Sequence, residues 1–361
     1  MKKIVTILGA RPQFVKAAVL SRIISNHNEI EEVIVHTGQH YDANMSAIFF
    51  DEMEIPKPKY NLHINGLNHG AMTGQMMEEI ERVLEKEKPD AVIVFGDTNS
   101  TIAGALTAKK LQIKVVHIEA GLRSFNMKMP EEINRILTDR ISDLLLCPTD
   151  TAIENLKKEG FDNFPISVVK SGDIMKDAVS YYSQTSAEKS SIILDLNLKS
   201  NEFVLATIHR QENTDDISKL KSIFEGLERI SENKLVVIPI HPRTRKILKN
   251  KGLKYDLKFI DPIGYFDMLE LLKHCNLVIT DSGGLQKEAY FNKKHSIIVR
   301  EETEWIELVE QGFAKIVGSD SEKMRQAFIS FQKLNLDFSM NLYGENIGAT
   351  IYSEIVKLLN A

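Results

Sequence analysis

Short runs of apolar residues alternate with longer amphipathic segments along almost the whole chain. The apolar runs lack the polar alternation of a half-exposed strand, so each is predicted to be a strand buried on both faces of a parallel sheet. The amphipathic segments predict helices that cover those faces. The predicted strands are residues 3–8, 32–36, 91–95, 115–118, 144–147, 166–169, 203–208, 235–240, 257–260, 277–280 and 296–299. The predicted helices are residues 12–24, 70–86, 99–111, 151–159, 217–230, 243–250, 265–273 and 346–359, one that ends near residue 50, and two that begin at Pro130 and Gly284.

This alternation predicts an α/β fold made of two Rossmann-like, doubly wound domains, and a chain of 361 residues is long enough for both. Residues 171–200 interrupt the pattern with Gly172, a pair of tyrosines and a polar run over residues 183–191, so we place the boundary at the start of this segment. The N-terminal domain is then residues 1–170 and the C-terminal domain residues 171–345. Open α/β sheets bind ligands outside the carboxyl ends of their strands, so we expect the two domains to face each other across a cleft.

Composition and charge exclude several classes of function. The formal net charge is −5, without the basic surplus that would hold a nucleic acid or an anionic membrane. No apolar run approaches the length of a membrane span, and the first run is too short for a signal peptide. Cys147 and Cys275 lie in separate apolar segments, which predicts free thiols in a reducing cytoplasm. Histidines and cysteines show no metal-ligand spacing, so we expect neither a metal nor another cofactor.

Carboxylates follow two predicted strands at their carboxyl ends. Asp97 comes after residues 91–95, and Glu119 comes after the next strand. Glu131 and Arg135 are four residues apart at the start of a predicted helix and therefore share one face of it. Glu131 also suits a helix N-terminus electrostatically, with Arg135 as a surface partner, so their pattern alone leaves a structural role open.

Cations stand at the first strand-to-helix turn. Gly9-Ala-Arg11-Pro-Gln-Phe-Val-Lys16 is neither a Walker loop nor a dinucleotide fingerprint. Arg11 and Lys16 would add positive charge to helix amides that already attract anions, although Lys16 alone also fits a solvated helix position. The first half of the chain therefore offers three carboxylates and three cations, a set suited to acid–base chemistry on a bound group.

A second group of candidates follows a strand in the C-terminal half. Ser282, Gly283 and Gly284 open a helix without side chains that would keep a diphosphate from its amides. Glu288 can accept both hydroxyls of a ribose with its two oxygens. An N-cap and a tight turn explain Ser282 and Gly283 equally well, but they do not explain the second glycine and the glutamate.

Histidines and arginines end two neighbouring strands in the same half. His209 and Arg210 follow residues 203–208, and His241 and Arg243 follow the next strand, residues 235–240. Charged residues at a shared sheet edge favour an anionic ligand, so this half is predicted to hold a nucleoside diphosphate.

Six motifs in this order resemble the non-hydrolysing UDP-N-acetylglucosamine 2-epimerases over nearly the whole chain. They are Arg11 with Lys16, Gly96-Asp-Thr98, His117-Ile-Glu-Ala-Gly-Leu-Arg123, Pro130-Glu-Glu-Ile-Asn-Arg135, His209-Arg-x-Glu-Asn213 and Asp281-Ser-Gly-Gly-x-Gln-x-Glu288. The resemblance implies a GT-B-like fold, a cytoplasmic homodimer and a final helix, within residues 346–361, that returns to the N-terminal domain.

The resemblance also implies roles for individual residues and a reaction. The implied catalytic residues are Asp97, Glu119, Glu131 and His209, supported by Lys16 and Arg135. The implied UDP-binding residues are Arg11, His209, Ser282, Gly283, Gly284 and Glu288. To the substrate-binding and UDP-binding residues we add Lys16, Arg135, Arg210 and His241. The implied reaction expels UDP from C1 to leave 2-acetamidoglucal and adds it back with the opposite configuration at C2, without a redox cofactor.

Some segments depart from the common family pattern. The loop 124–129 is shorter than in many members, residues 39–42 only partly resemble the stretch that forms an allosteric site in some bacterial members, and Trp305 stands where many relatives carry arginine. These departures resemble the branch that acts on UDP-2,3-diacetamido-2,3-dideoxy-glucuronate, so that sugar is the alternative to UDP-N-acetylglucosamine. A GT-B glycosyltransferase, a hydrolysing 2-epimerase and a non-catalytic UDP-sugar sensor remain further alternatives.

Overall fold

The computed structural model of the chain describes residues 1–39, 53, 55–334 and 337–361, apart from the side chain of Arg11. The helix predicted to end near residue 50, and residues 40–42 of the segment compared with an allosteric site, lie outside the described residues. Two compact units are present, Met1–Ala178 with Asn341–Ala361, and Val179–Met340.

The first unit contains a parallel sheet, which has seven strands within the described residues. In spatial order the strands run β3-β2-β1-β4-β5-β6-β7, so the sheet reverses its direction of growth between β1 and β4. The strands are β1 (Lys2–Leu8), β2 (Ile30–His36), β3 (Tyr60–Asn61), β4 (Ala91–Phe95), β5 (Lys114–Ile118), β6 (Leu144–Cys147) and β7 (Ser167–Lys170). The helices are α1 (Arg11–Ser25), α2 (His69–Glu87), α3 (Asn99–Lys110), α4 (Pro130–Ile141), α5 (Asp150–Lys158) and α6 (Ile174–Lys189), which continues into the second unit, together with a short 3-10 helix at Phe161–Asn163.

The second unit contains another parallel sheet, with six strands within the part of the chain that the structure describes. Its spatial order is β10-β9-β8-β11-β12-β13, with the reversal between β8 and β11. The strands are β8 (Phe203–Thr207), β9 (Leu235–Pro239), β10 (Lys258–Ile260), β11 (Val278–Thr280), β12 (Ser296–Ile298) and β13 (Ala314–Ile316). The helices are α7 (Ile192–Asp195), α8 (Gln211–Thr214), α9 (Ile217–Ser231), α10 (Pro242–Asn250), α11 (Tyr265–His274), α12 (Gly283–Phe291), α13 (Ile306–Glu310) and α14 (Ser321–Lys333). The predicted fold class, two doubly wound parallel α/β sheets, is confirmed.

The polar run at residues 183–191, from which no helix was predicted, lies largely in α6. Buried Met175, Ala178, Val179 and Tyr182 recur along α6 at helical spacing, so most of its polar residues occupy the opposite face, and Ser186 is a buried exception. Strand β13 and helix α14 also went unpredicted. The strand has three residues, and its central Lys315 is exposed, so it gives almost no apolar pattern.

The last helix, α15 (Ile347–Asn360), packs on α1 in the first unit. A Cβ on Gly348 would lie 2.5 Å from Cδ1 of Ile23 and 3.0 Å from Cγ1 of Val19, so glycine permits this close approach. Among the described helices, none is long and apolar enough to cross a membrane.

Candidate active site

Buried Lys16 and half-buried Glu119 form an ion pair beside the point where the first sheet reverses. Lys16 lies in the second turn of α1, and its Nζ contacts Oε2 of Glu119, which follows β5. Glu119 has a left-handed backbone conformation, with φ of +73°. This conformation is uncommon for a residue with a side chain, and surrounding contacts must hold it in place. The α/β switch point, where ligands commonly bind, therefore carries a fixed carboxylate with its own cation.

Asp97 and Arg135 form the second ion pair of this site. Nη2 of Arg135 in α4 donates to Oδ2 of Asp97 at 2.7 Å, and Asn134 donates to the Asp97 carbonyl at 2.9 Å. Gly96 has φ of +60°, and a Cβ there would lie 3.2 Å from Oε2 of Glu119. Glycine thus lets the Asp97 loop approach the Glu119 carboxylate. Two ion-paired carboxylates consequently lie at the ends of the adjacent strands β4 and β5.

Helix α4 places its two glutamates differently. Glu131 is half-buried in the first turn, whereas Glu132 is fully buried, with Oε2 3.3 Å from Nη1 of Arg135. The Glu132 carboxylate also accepts hydrogen bonds from the backbone amides of Ser124 and Phe125, at 2.9 and 2.8 Å. Glu132 therefore orders the loop that leads into the helix. The sequence gives no signal for this role, because it depends on how the loop folds back.

Gln13 is a further residue that the sequence analysis missed. Its Oε1 accepts from the amides of Gly9 and Ala10 at 2.8 and 2.9 Å. Its Nε2 donates to the Phe95 carbonyl at 2.8 Å and to Thr98 Oγ1 at 3.1 Å. Gln13 thus ties the loop after β1 to the loop after β4. The side chain of Arg11, in the same turn, lies outside the described residues, and its predicted contact with UDP stays a prediction.

In the second unit, His209 lies against a buried aspartate at the point where the sheet reverses. Nδ1 of His209 is 3.2 Å from Oδ1 of Asp281, and the amides of His209 and Arg210 each donate to Oδ2 at 2.9 Å. Burial by itself raises the pKa of Asp281, but the hydrogen bonds and charge of His209, with the other donors, lower that pKa below its usual value. The ionised aspartate contacts Nδ1 and thereby orients the His209 ring. Asp281 stands directly after an apolar strand, which was the available sequence signal.

The N-terminus of α12 presents open backbone beside His209. Ser282 is the N-cap, and its Oγ accepts from the Leu285 amide at 3.5 Å. A Cβ on Gly284 would meet no atom within 4 Å, so a ligand can approach the first amides of the helix. Glu288 is half-buried in the following turn.

Gly283 faces three polar side chains of the second unit. A Cβ on Gly283 would lie 3.7 Å from Oε2 of Glu304, 3.7 Å from Nε1 of Trp305 and 3.9 Å from Nη2 of Arg210. Trp305 is buried, and Nζ of Lys287 stands 3.8 Å from the centre of its ring. Trp305 is therefore a buried residue beside the start of α12, and Lys287 covers one face of its ring.

His241 and Arg243, predicted at the same edge, have structural partners. Nδ1 of His241 accepts from the Arg243 amide at 3.2 Å and caps α10. The exposed His241 ring also stacks on His209 with ring centres 5.9 Å apart. Arg243 forms an ion pair with Asp215 and is thereby turned toward that residue.

Each unit therefore places polar residues at the switch point of a doubly wound parallel sheet, as nucleotide-binding α/β proteins do. The chain belongs to the UDP-N-acetylglucosamine 2-epimerase family, whose model matches residues 22–352. The family predicted from the six motifs is thus confirmed.

Individual relatives match over almost the full chain. The chain is 54% identical over 319 residues to the UDP-2,3-diacetamido-2,3-dideoxy-D-glucuronate 2-epimerase of Pseudomonas aeruginosa, covering 88% of each chain. It is 45% identical over 341 residues to the UDP-N-acetylglucosamine 2-epimerase of Methanocaldococcus jannaschii, covering 90% of this chain and 91% of the relative. The structure of that enzyme in complex with UDP-GlcNAc and UDP is similar with a TM-score of 0.90, at 41% identity and 99% coverage of each chain.

Proposed function

We propose that the protein is a non-hydrolysing 2-epimerase that inverts C2 of a UDP-2-acetamido sugar. The observation that carries the proposal is the pair of carboxylates, Asp97 and Glu119, each held by a buried cation at adjacent strand ends. Members of an epimerase family need groups that remove a proton from one face of C2 and return it to the other.

We propose that the second unit holds the UDP moiety. Helix N-terminal amides at Gly283 and Gly284 suit the diphosphate, and the Glu288 carboxylate suits the ribose hydroxyls. His209, oriented by Asp281, contacts the diphosphate and supports its departure. Arg210, His241 and Arg11 add positive or hydrogen-bonding character to the same ligand.

We propose that the first unit performs the proton transfers. In the elimination a carboxylate takes the C2 proton, the C1–O bond breaks, its electron pair leaves with UDP, and a C1=C2 double bond forms. UDP then adds back to C1 while C2 receives a proton on the opposite face. Asp97, Glu119 and Glu131 carry these transfers and stabilise positive charge at C1, while Lys16 and Arg135 hold the carboxylates in place.

Two sugars are candidates for the substrate. UDP-N-acetylglucosamine, converted to UDP-N-acetylmannosamine for cell-surface polysaccharide synthesis, is supported by the family and by the M. jannaschii relative. UDP-2,3-diacetamido-2,3-dideoxy-D-glucuronate is favoured by the 54% identity to the P. aeruginosa enzyme.

We further propose that the enzyme works as a cytoplasmic homodimer.

Incubation with each sugar nucleotide in deuterated water tests the reaction and the substrate together. Proton NMR is expected to show the C2 epimer, with deuterium at C2 of the product, for the true substrate. Epimerisation without deuterium at C2 would contradict elimination by an exchangeable base. Transfer only in the presence of an acceptor would indicate a glycosyltransferase, and release of free sugar with UDP would indicate a hydrolysing enzyme. Since a site built around one polar group rejects an analogue that lacks it by several orders of magnitude, one sugar should be strongly preferred.

A further inference from the structure

His117 is a fully buried histidine in the apolar strand β5. Its Nδ1 lies 2.7 Å from Oδ1 of Asp139 in α4, and its Nε2 lies 2.7 Å from the carbonyl oxygen of Gly96. Both are short hydrogen bonds, and neither ring nitrogen faces water. The ring therefore spans from helix α4 to the loop after β4.

Both partners of the ring are hydrogen-bond acceptors. The Gly96 carbonyl has no proton to give, so Nε2 must donate. Asp139 accepts from the Gly121 amide at 3.1 Å and from Nη1 of Arg123 at 2.7 Å through its other oxygen. Burial alone raises the pKa of Asp139, but His117 and Arg123 lower it below its usual value, so the group is a carboxylate and Nδ1 must also donate. A histidine that donates from both nitrogens is an imidazolium.

The surrounding charges compensate this cation. Arg123, which is buried, also makes a bidentate pair with Glu159 at 2.6 and 2.7 Å. Two cations, His117 and Arg123, thus face two carboxylates, Asp139 and Glu159. The nearby Cys147 thiol stays neutral, because burial raises its pKa.

His117 and Asp139 together link the two loops that carry the candidate catalytic carboxylates. Gly96, bound by Nε2, directly precedes Asp97. Gly121, bound by Asp139, follows two residues after Glu119, whose backbone is in the left-handed conformation. A shift of either loop would move one carboxylate relative to the other, and displacements of about 1 Å cost roughly 10²-fold in rate.

We propose that His117 is a positioning residue, held as an imidazolium by Asp139 and Gly96, that sets the spacing of Asp97 and Glu119. Its effect on turnover rests on the proposed function, whereas its protonation state does not. The imidazolium contacts no substrate and transfers no proton. It acts through the backbone of the two strand ends.

NMR of the unaltered protein with ¹⁵N-labelled histidine tests the protonation state without any substrate. Both ring nitrogens of His117 are expected to carry a proton at about pH 7, because each lies at hydrogen-bonding distance from an acceptor. An unprotonated nitrogen on His117 at about pH 7 would overturn the assignment. The His117 signal is assigned by its absence from the spectrum of His117→Asn. If His117→Asn does not fold, the signal is assigned by its change in Asp139→Asn.

Kinetics of substituted proteins test the positioning role, once the native protein has been shown to epimerise a UDP-sugar. His117→Ala and Asp139→Ala are expected to lower kcat about 10²-fold with KM and UDP affinity nearly unchanged. Asp139→Asn can donate to Nδ1 of a neutral ring and still accept from Gly121, so it should recover most of kcat. Ser142→Ala, a buried change at the end of the same helix, is the control for simple loss of stability and should leave kcat unchanged.

Two kinetic results would overturn the positioning role. One is full kcat in His117→Ala. The other is an Asp139→Asn variant as impaired as Asp139→Ala, because the hydrogen bonds would then not be what matters. Absence of epimerisation in the native protein would count against the proposed function and leave the NMR result to decide the protonation state.

Discussion

Arg135 Nη2 donates to Asp97 Oδ2 at 2.7 Å, and Nη1 of the same guanidinium lies 3.3 Å from the buried Glu132 carboxylate. The planar fork of arginine thus joins a strand end to a helix. Lysine would keep the charge but not both contacts. Arg135→Lys is therefore expected to lower kcat about ten- to hundredfold, which corresponds to a charged hydrogen bond of about 1.5–3 kcal/mol. Steady-state kinetics measure this, with the exposed Arg140→Lys on the same helix as control. Equal kcat for the two variants would contradict a role for the fork.

Amide substitution tests the three proposed catalytic carboxylates. Asp97→Asn, Glu119→Gln and Glu131→Gln keep the size of each side chain but remove the base, so each is expected to lower turnover by about 10² or more. UDP affinity, measured by calorimetry, should stay within about twofold, because we assign UDP binding to the second unit. Glu154→Gln, an exposed change in α5, serves as control. Full activity in any of the three would remove that residue from the mechanism.

The assignment of Glu288 to the ribose predicts a change in UDP binding. Glu288→Ala is expected to weaken UDP binding by about 1–3 kcal/mol, the cost of losing a charged hydrogen-bonding partner. Calorimetric titration with UDP measures this directly. Glu232→Ala, exposed just beyond α9, is the matched control. Unchanged UDP affinity in Glu288→Ala would show that the ribose lies elsewhere.

The ion pair of Lys16 and Glu119 predicts an effect on stability as well as on activity. Lys16 is buried and the Glu119 side chain is only 11% exposed, so Lys16→Met removes one partner of a poorly solvated carboxylate and is expected to destabilise the first unit by about 1–3 kcal/mol. Adding Glu119→Gln should restore part of this stability, because the poorly solvated charge is then removed, but not the activity. Denaturant unfolding of the single and double variants completes the cycle. Additive losses of stability would mean that the two side chains do not interact.

The lowered pKa of Asp281 predicts a pH dependence of stability. Because its native pKa lies below the ordinary value of 3.8, the ionised form stabilises the fold at all pH values above that value, and this contribution is lost as the pH falls below it. Asp281→Asn should therefore be less stable than the native protein at about pH 7, and the difference should shrink toward about pH 3. Thermal unfolding across this range measures it, with the exposed Asp261→Asn as control. A constant difference at all pH values would show that the charge of Asp281 contributes nothing.

The sequence determined most of the strands, the longer helices and their order because strands buried on both faces produce continuous apolar runs, and these are local signals. Polar residues that follow such runs, as Asp97 and Glu119 do, could be placed at a sheet edge for the same reason. The six motifs were also local, and they identified the family. The helical segment 183–189 was not predicted from the sequence because few of its residues are buried and most of the others are polar.

Only the tertiary structure decided which of these residues contact one another. Lys16 and Glu119 are 103 positions apart and meet because the sheet places β1, β4 and β5 side by side. Arg123, in a family motif, turns inward to Asp139 because that carboxylate and Glu159 lie beside it in the fold. Spacing along the chain records only helix and strand period, whereas ion pairs and buried hydrogen bonds depend on strand order and loop conformation, which bring distant residues together.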